Sequence, residues 1–93
     1  MTRDDLLSRR VDFHKALGNS VRLRIVDFLL EGEQCQCDIF PIFGLAQSTV
    51  SAYLTKLVKA GVLDIRKDGT RKLYSIANPD VKEIVERIRL ILG

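Results

Sequence analysis

The only two cysteines of the chain, Cys35 and Cys37, stand one residue apart in EQCQCDIFPIF, residues 33–43, with Asp38 after them and Pro41 four positions beyond Cys37. Thiolates are soft ligands, so this pair suits arsenite, antimonite or a thiophilic divalent metal rather than magnesium or calcium. In a regular helix, residues i and i+2 point about 200° apart, and two thiolates so placed cannot grip one ion. Pro41 cannot donate to the carbonyl of Cys37 and its ring would clash there, so the segment is not expected to run on as one helix. With Asp38 as a helix cap, Pro41 falls in the first turn and both cysteines lie in extended chain, where i and i+2 share a side. The same sulfurs also fit a redox switch, through an intersubunit or a C-x-C disulfide, and two inert buried thiols are the plain alternative.

No enzyme is expected. His14 is the sole histidine, with no carboxylate or thiol pattern around it, and there is neither a phosphate-cradling glycine loop nor a convergent acid–base set. At 93 residues the chain reads as one domain, residues 1–93, and a monomer of that size buries only roughly 60–65% of its unfolded-chain surface. A partner subunit would add to that. No run of 18 apolar residues occurs and MTRDDLLSRR lacks the apolar core of a signal peptide, so a cytoplasmic protein with no membrane partner is expected, its cysteines thiols at rest.

Two stretches repeat one apolar pattern, i, i+4, i+7, i+8: Val21, Ile25, Phe28, Leu29, and then Val50, Leu54, Leu57, Val58. That is one face of a helix, in each case with a capping residue before it (Asn19 or Ser20; Ser48 or Thr49) and a glycine after it (Gly32; Gly61). A weaker amphipathic helix precedes them, from about Asp4 to Leu17. After them, VLDIRKDGTRKLYSI has two β-rich arms around Asp68-Gly69, the pair favoured in a type I′ turn. That turn would set Arg66 opposite Arg71 and Ile65 opposite Lys72, with Leu63, Ile65, Tyr74 and Ile76 facing inward. Asn78-Pro79 opens a last helix with the stripe Val81, Ile84, Val85, Ile88, Ile91, Leu92. That stripe predicts a subunit interface shared with the first helix.

The expected architecture is therefore mainly α with a β-hairpin wing, a homodimeric winged helix-turn-helix. The net charge of +3 is mild, but the cations cluster where such a fold meets DNA. The recognition helix offers Gln47, Ser48, Thr49, Ser51, Tyr53 and Lys56 to the major groove, and the hairpin tip offers Arg66, Lys67, Arg71 and Lys72 to the flanking backbone or minor groove. The partner implied is double-stranded operator DNA. A winged fold serving only as a protein-interaction module would lack salt-dependent DNA affinity.

Through HKALGNSVRLRIVDFLLEGEQCQCDI and STVSAYLTKLVKAGVLDIRKDGTRKLYSI the chain resembles the ArsR/SmtB family of dimeric, metal-responsive bacterial and archaeal repressors. The resemblance implies a repressor that leaves a near-palindromic operator when its inducer binds. Cys35, Cys37 and Asp38 match the family's arsenic-sensing box, which makes Cys35 and Cys37 the metal ligands and arsenite, antimonite or a thiophilic divalent metal the inducer, with no obligatory cofactor. A third cysteine of that box would fall at Phe40, so a small thiol, water or a group from elsewhere would complete the site. The family's sensing positions on the last helix carry Asp80, Lys82, Glu83 and Glu86 here, with no histidine.

Overall fold

The computed structural model describes Met1–Gly93. Helix α1 spans Arg3–Leu17 and α2 spans Ser20–Leu29; the two-residue strand β1 (Gln34–Cys35) leads into the four-residue helix α3 (Gln36–Ile39) and a 3-10 turn, Phe40–Ile42. Helix α4 (Gln47–Lys59), strands β2 (Leu63–Asp68) and β3 (Arg71–Ile76), and helix α5 (Pro79–Leu92) complete the chain. No helix is long and apolar enough to cross a membrane.

The two repeated stripes form the centre of the core. Ile25 and Leu29 of α2 pack with Val50, Leu54 and Leu57 of α4, and Ile39, Val62, Leu63 and Tyr74 close the cluster. Two helices are capped as their sequence indicates: Asn19 accepts from the N–H of Arg22, and Asn78 from that of Val81, with Pro79 next to it. Arg22 then locks three helices together. It donates to the carbonyls of Lys15 and Ala16 at the end of α1, and its guanidinium lies 5.3 Å from the ring centroid of Tyr53 on α4.

Several local expectations change. Helix α4 starts at Gln47 after Ala46 with no side-chain cap, so Ser48 and Thr49 sit inside its first turn and not before it. The hairpin turns on Gly69-Thr70, with Asp68 opposite Arg71, Lys67 opposite Lys72 and Arg66 opposite Leu73. Gly69 has φ 64° while no other residue type adopts positive φ. A type I′ turn on Asp68-Gly69 would force Asp68 to positive φ; moving the turn one residue on lets glycine alone carry it, the pattern of type II′. In the observed register Ile65 is exposed, and Leu73 is buried instead. Leu73 is covered because β1 adds a third strand beyond β3, in the order β1-β3-β2, with Cys35 opposite Leu73.

Candidate nucleic-acid interface and thiol site

Cys35 ends β1 in extended backbone and is 3% exposed, whereas Cys37 is exposed one residue into α3. Asp38 does not cap this helix. Cys35 holds the cap position, its Sγ accepting from the N–H of Cys37 at 3.2 Å. Pro41 stops α3 and does not start it: its absent N–H falls where Cys37 would need a donor, and the chain tightens into the 3-10 turn. The change of backbone at Cys35, from strand to helix, brings the two Cα atoms to 5.1 Å, and the sulfurs are joined as a disulfide. The resting thiols expected above are thus oxidised in this structure.

The donor atoms of Cys35, Cys37 and Asp38 all lie within 4.8 Å of one another. Metal–thiolate bonds of about 2.3 Å let one ion bridge sulfurs at about that spacing, so the set fits a soft ion once two electrons have reduced the disulfide. Phe40 is half-buried against the core and supplies no ligand.

Gln36, between the cysteines, was not singled out by its sequence context. Its Nε2 donates to Ser51 Oγ at 3.4 Å, and the hydroxyl of Tyr74 donates to its Oε1 at 3.3 Å. Burial raises the Tyr74 phenol above its ordinary pKa and so keeps the donor protonated. The residue between the thiols therefore touches both α4 and the wing. Glu33 adds a second tie: it accepts from Arg66 Nε at 2.8 Å and from a terminal nitrogen at 2.7 Å. The Arg66 hydrogen bond holds the Glu33 carboxyl below its ordinary value.

Of the residues expected to meet DNA, Gln47, Ser48 and Lys56 on α4 and Lys67, Arg71 and Lys72 on the wing are exposed. Thr49 and Ser51 are half-buried, Tyr53 packs on the core beneath Arg22, and Arg66 is engaged by Glu33. Gln47, Arg71 and Lys72 border the same groove as the two cysteines. Leu6, Leu7 and Val11 of α1 and Ile84, Ile88 and Ile91 of α5 are uncovered. Between α2 and α5 Asp27 Oδ1 is buried with no partner, and its Oδ2 is 4.0 Å from Arg89 Nε.

Residues 19–64 match the model of the bacterial regulatory protein arsR family. The HTH-type transcriptional regulator Rv0081 of Mycobacterium tuberculosis is 35% identical over the whole of this chain and 82% of its own length. The arsenical resistance operon repressor of Staphylococcus aureus is 34% identical over 83% of this chain and 74% of its own. Among solved structures, the homodimeric winged helix-turn-helix DNA-binding domain Mb0332 of Mycobacterium bovis superposes with a TM-score of 0.90 at 34% identity, covering 96% of this chain and 82% of that one.

Proposed function

The chain belongs to the arsR family of bacterial regulatory proteins, and from that premise we propose a homodimeric repressor that leaves its operator when Cys35 and Cys37 bind a soft ion. Its relatives are transcriptional regulators and not enzymes. One observation carries the reading: the thiol pair shares a groove with Gln47 at the start of α4 and with Arg71 and Lys72 of the wing. Gln47 and Ser48 approach base edges, Lys56 and the wing cations neutralise phosphates, and Ser51 and Tyr53 position the helix from its inner side. Cys35 and Cys37 would hold the ion, with Asp38 in reach as a third donor. After a thiol or dithiol reductant has supplied two electrons to the disulfide, ligation of one ion by the two thiolates changes the entry into α3, which Gln36 connects to Ser51. Release follows only if the ion favours the dimer geometry that fits DNA less well, and a coupling of about 1–3 kcal/mol, roughly 5- to 150-fold, suffices. The uncovered stripes of α1 and α5 form the dimer seam, which the homodimeric relative supports.

The test titrates reduced protein onto DNA from upstream of its own gene, with and without arsenite, antimonite or cadmium. Wild type should release, while the double variant Cys35→Ser, Cys37→Ser should bind DNA normally and ignore the ions. A wild type indifferent to every soft ion overturns the ion-responsive reading. Ile88→Glu should abolish the dimer and most DNA affinity together, because it sets an unpaired charge in an apolar seam; sedimentation velocity reports the first and fluorescence anisotropy the second.

A second reading has its own observation. Because the sulfurs are joined within one chain, a redox repressor would switch by an intrachain C-x-C bond and not by a crosslink between subunits. DNA affinity that changes with the dithiol potential in chelated, ion-free buffer would select it.

A further inference from the structure

Between the thiol segment and the wing lies a groove of about 700 Å³, within the ~300–1,000 Å³ of small-molecule sites. Cys35, Cys37, Arg71 and Lys72 all line it, together with the apolar Phe40 and Leu45. No carboxylate lines it; Asp38, beside the cysteines, does not reach its wall. A soft-ion site of two sulfurs and a carboxylate has no use for these cations or for this volume. We propose that the groove binds a small anionic thiol, held by Arg71 and Lys72 and joined to Cys37 as a mixed disulfide.

The exposures of the two sulfurs decide where exchange occurs. Cys37 is open to the groove and Cys35 is 3% exposed, so the incoming thiolate attacks Cys37 Sγ. One S–S bond forms between the small thiol and Cys37, the Cys35–Cys37 bond breaks, and the electron pair leaves on Cys35 Sγ. Charge and oxidation level balance, with no outside oxidant needed. Cys35 is a suitable leaving sulfur because the Cys37 N–H already points at it from 3.2 Å, and hydrogen bonding stabilises a thiolate. The carboxylates of the small thiol then meet Arg71 and Lys72, so the adduct fills the space between Gln47 and the wing tip. The consequence for DNA rests on the repressor reading above: adduct carboxylates and DNA phosphates compete for the same two cations.

The test needs no DNA. Oxidised wild type and the variant Arg71→Gln, Lys72→Gln are each mixed with glutathione (anionic), 2-mercaptoethanol (neutral) or cysteamine (cationic) at low salt. Acid quench and intact-mass spectrometry give the rate of adduct formation, and peptide mapping gives its position. Taking the wild-type to variant ratio for each thiol cancels the reagent's own reactivity. The ratio should be about tenfold for glutathione, near one for 2-mercaptoethanol and below one for cysteamine, because a cationic cleft raises encounter with anions by ~10–10³. The adduct should map to Cys37, and added salt should erase the glutathione preference. Equal ratios for the three thiols, or an adduct on Cys35, overturn the proposal. Circular dichroism of the variant keeps a folding defect from passing as lost selectivity, and Arg71→Lys should restore the glutathione ratio because it returns the charge. Should unmodified protein fail to bind DNA in a parallel titration, the repressor reading falls while the groove stands on its mass-spectrometric result.

Discussion

Helix α4 and the thiol segment are neighbours built on opposite terms. Val50, Leu54 and Leu57 are fully buried, spaced to one helix face and fixed by the core. Residues 34–42 form a two-residue strand, a four-residue helix and a 3-10 turn, and Gln36 reaches α4 and β3 through hydrogen bonds of 3.4 and 3.3 Å respectively. Packing fixes α4 along one whole face, whereas the thiol segment is anchored at buried Ile39 and Cys35 and tied to its neighbours by a few polar contacts. On the function proposed above, this is a division of labour between a stable reading head and a sensing element whose rearrangement costs little.

The largest expected effect breaks the comparison on its rigid side. Leu54→Ala should lower stability by about 2–5 kcal/mol through lost burial and a residual cavity, whereas Cys37→Ser in reducing buffer should stay within about 0.5 kcal/mol. Urea denaturation of both variants checks this, and equal losses would show the thiol segment to be as structural as α4. The link between the two regions comes next. Gln36→Leu removes the bridge to Ser51 and Tyr74, so it should cut the ion-induced loss of DNA affinity by about 0.5–1.5 kcal/mol, roughly two- to tenfold. Ion-free DNA affinity should hold within about twofold on the same scale. Anisotropy titrations with and without arsenite read both, and undiminished release in the variant would put the coupling elsewhere.

The smallest effect concerns the tie between Glu33 and Arg66. The Glu33 carboxyl lies below its ordinary value of 4.5 because Arg66 hydrogen-bonds to it. A carboxylate with a lowered folded-state pKa stabilises the fold above its unfolded value and loses that contribution as pH falls through the folded one. The tie therefore holds at neutral pH and opens only in acid below 4.5. Both partners face solvent, so the gain is small and screened by salt. A carboxyl titration by NMR should place Glu33 below 4.5 in wild type and return it toward 4.5 in Arg66→Ala.

The legible parts of this chain were those governed by a period or a cap. The α2 and α4 stripes, the Asn19 and Asn78 caps and the last helix all follow from local spacing that tertiary contacts reinforced. The thiol segment was legible as chemistry and misread as geometry. Two-residue β1 is too short to show alternation, and it exists because β3 offers an open edge at Leu73 and Tyr74. Asp38 looked like the cap, yet Cys35 takes that place because its own sulfur reaches the Cys37 N–H. For Gln36 no local signal exists: its partners lie 15 and 38 residues away.

By itself, the order of residues determined the helices, the hairpin, the family resemblance and the concentration of soft ligands at Cys35 and Cys37, because periodicity, turn chemistry and thiol chemistry act within a few residues. Tertiary structure alone decided the third strand and which cations of the wing stand free. It also brought Cys35 and Cys37 into one groove with Gln47, Arg71 and Lys72. The physical reason is range. A helix face or a cap is set by neighbours in the chain, but an edge strand, an ion pair such as Glu33 with Arg66 and a shared groove exist only once distant segments have packed, and many registers satisfy the local rules equally well.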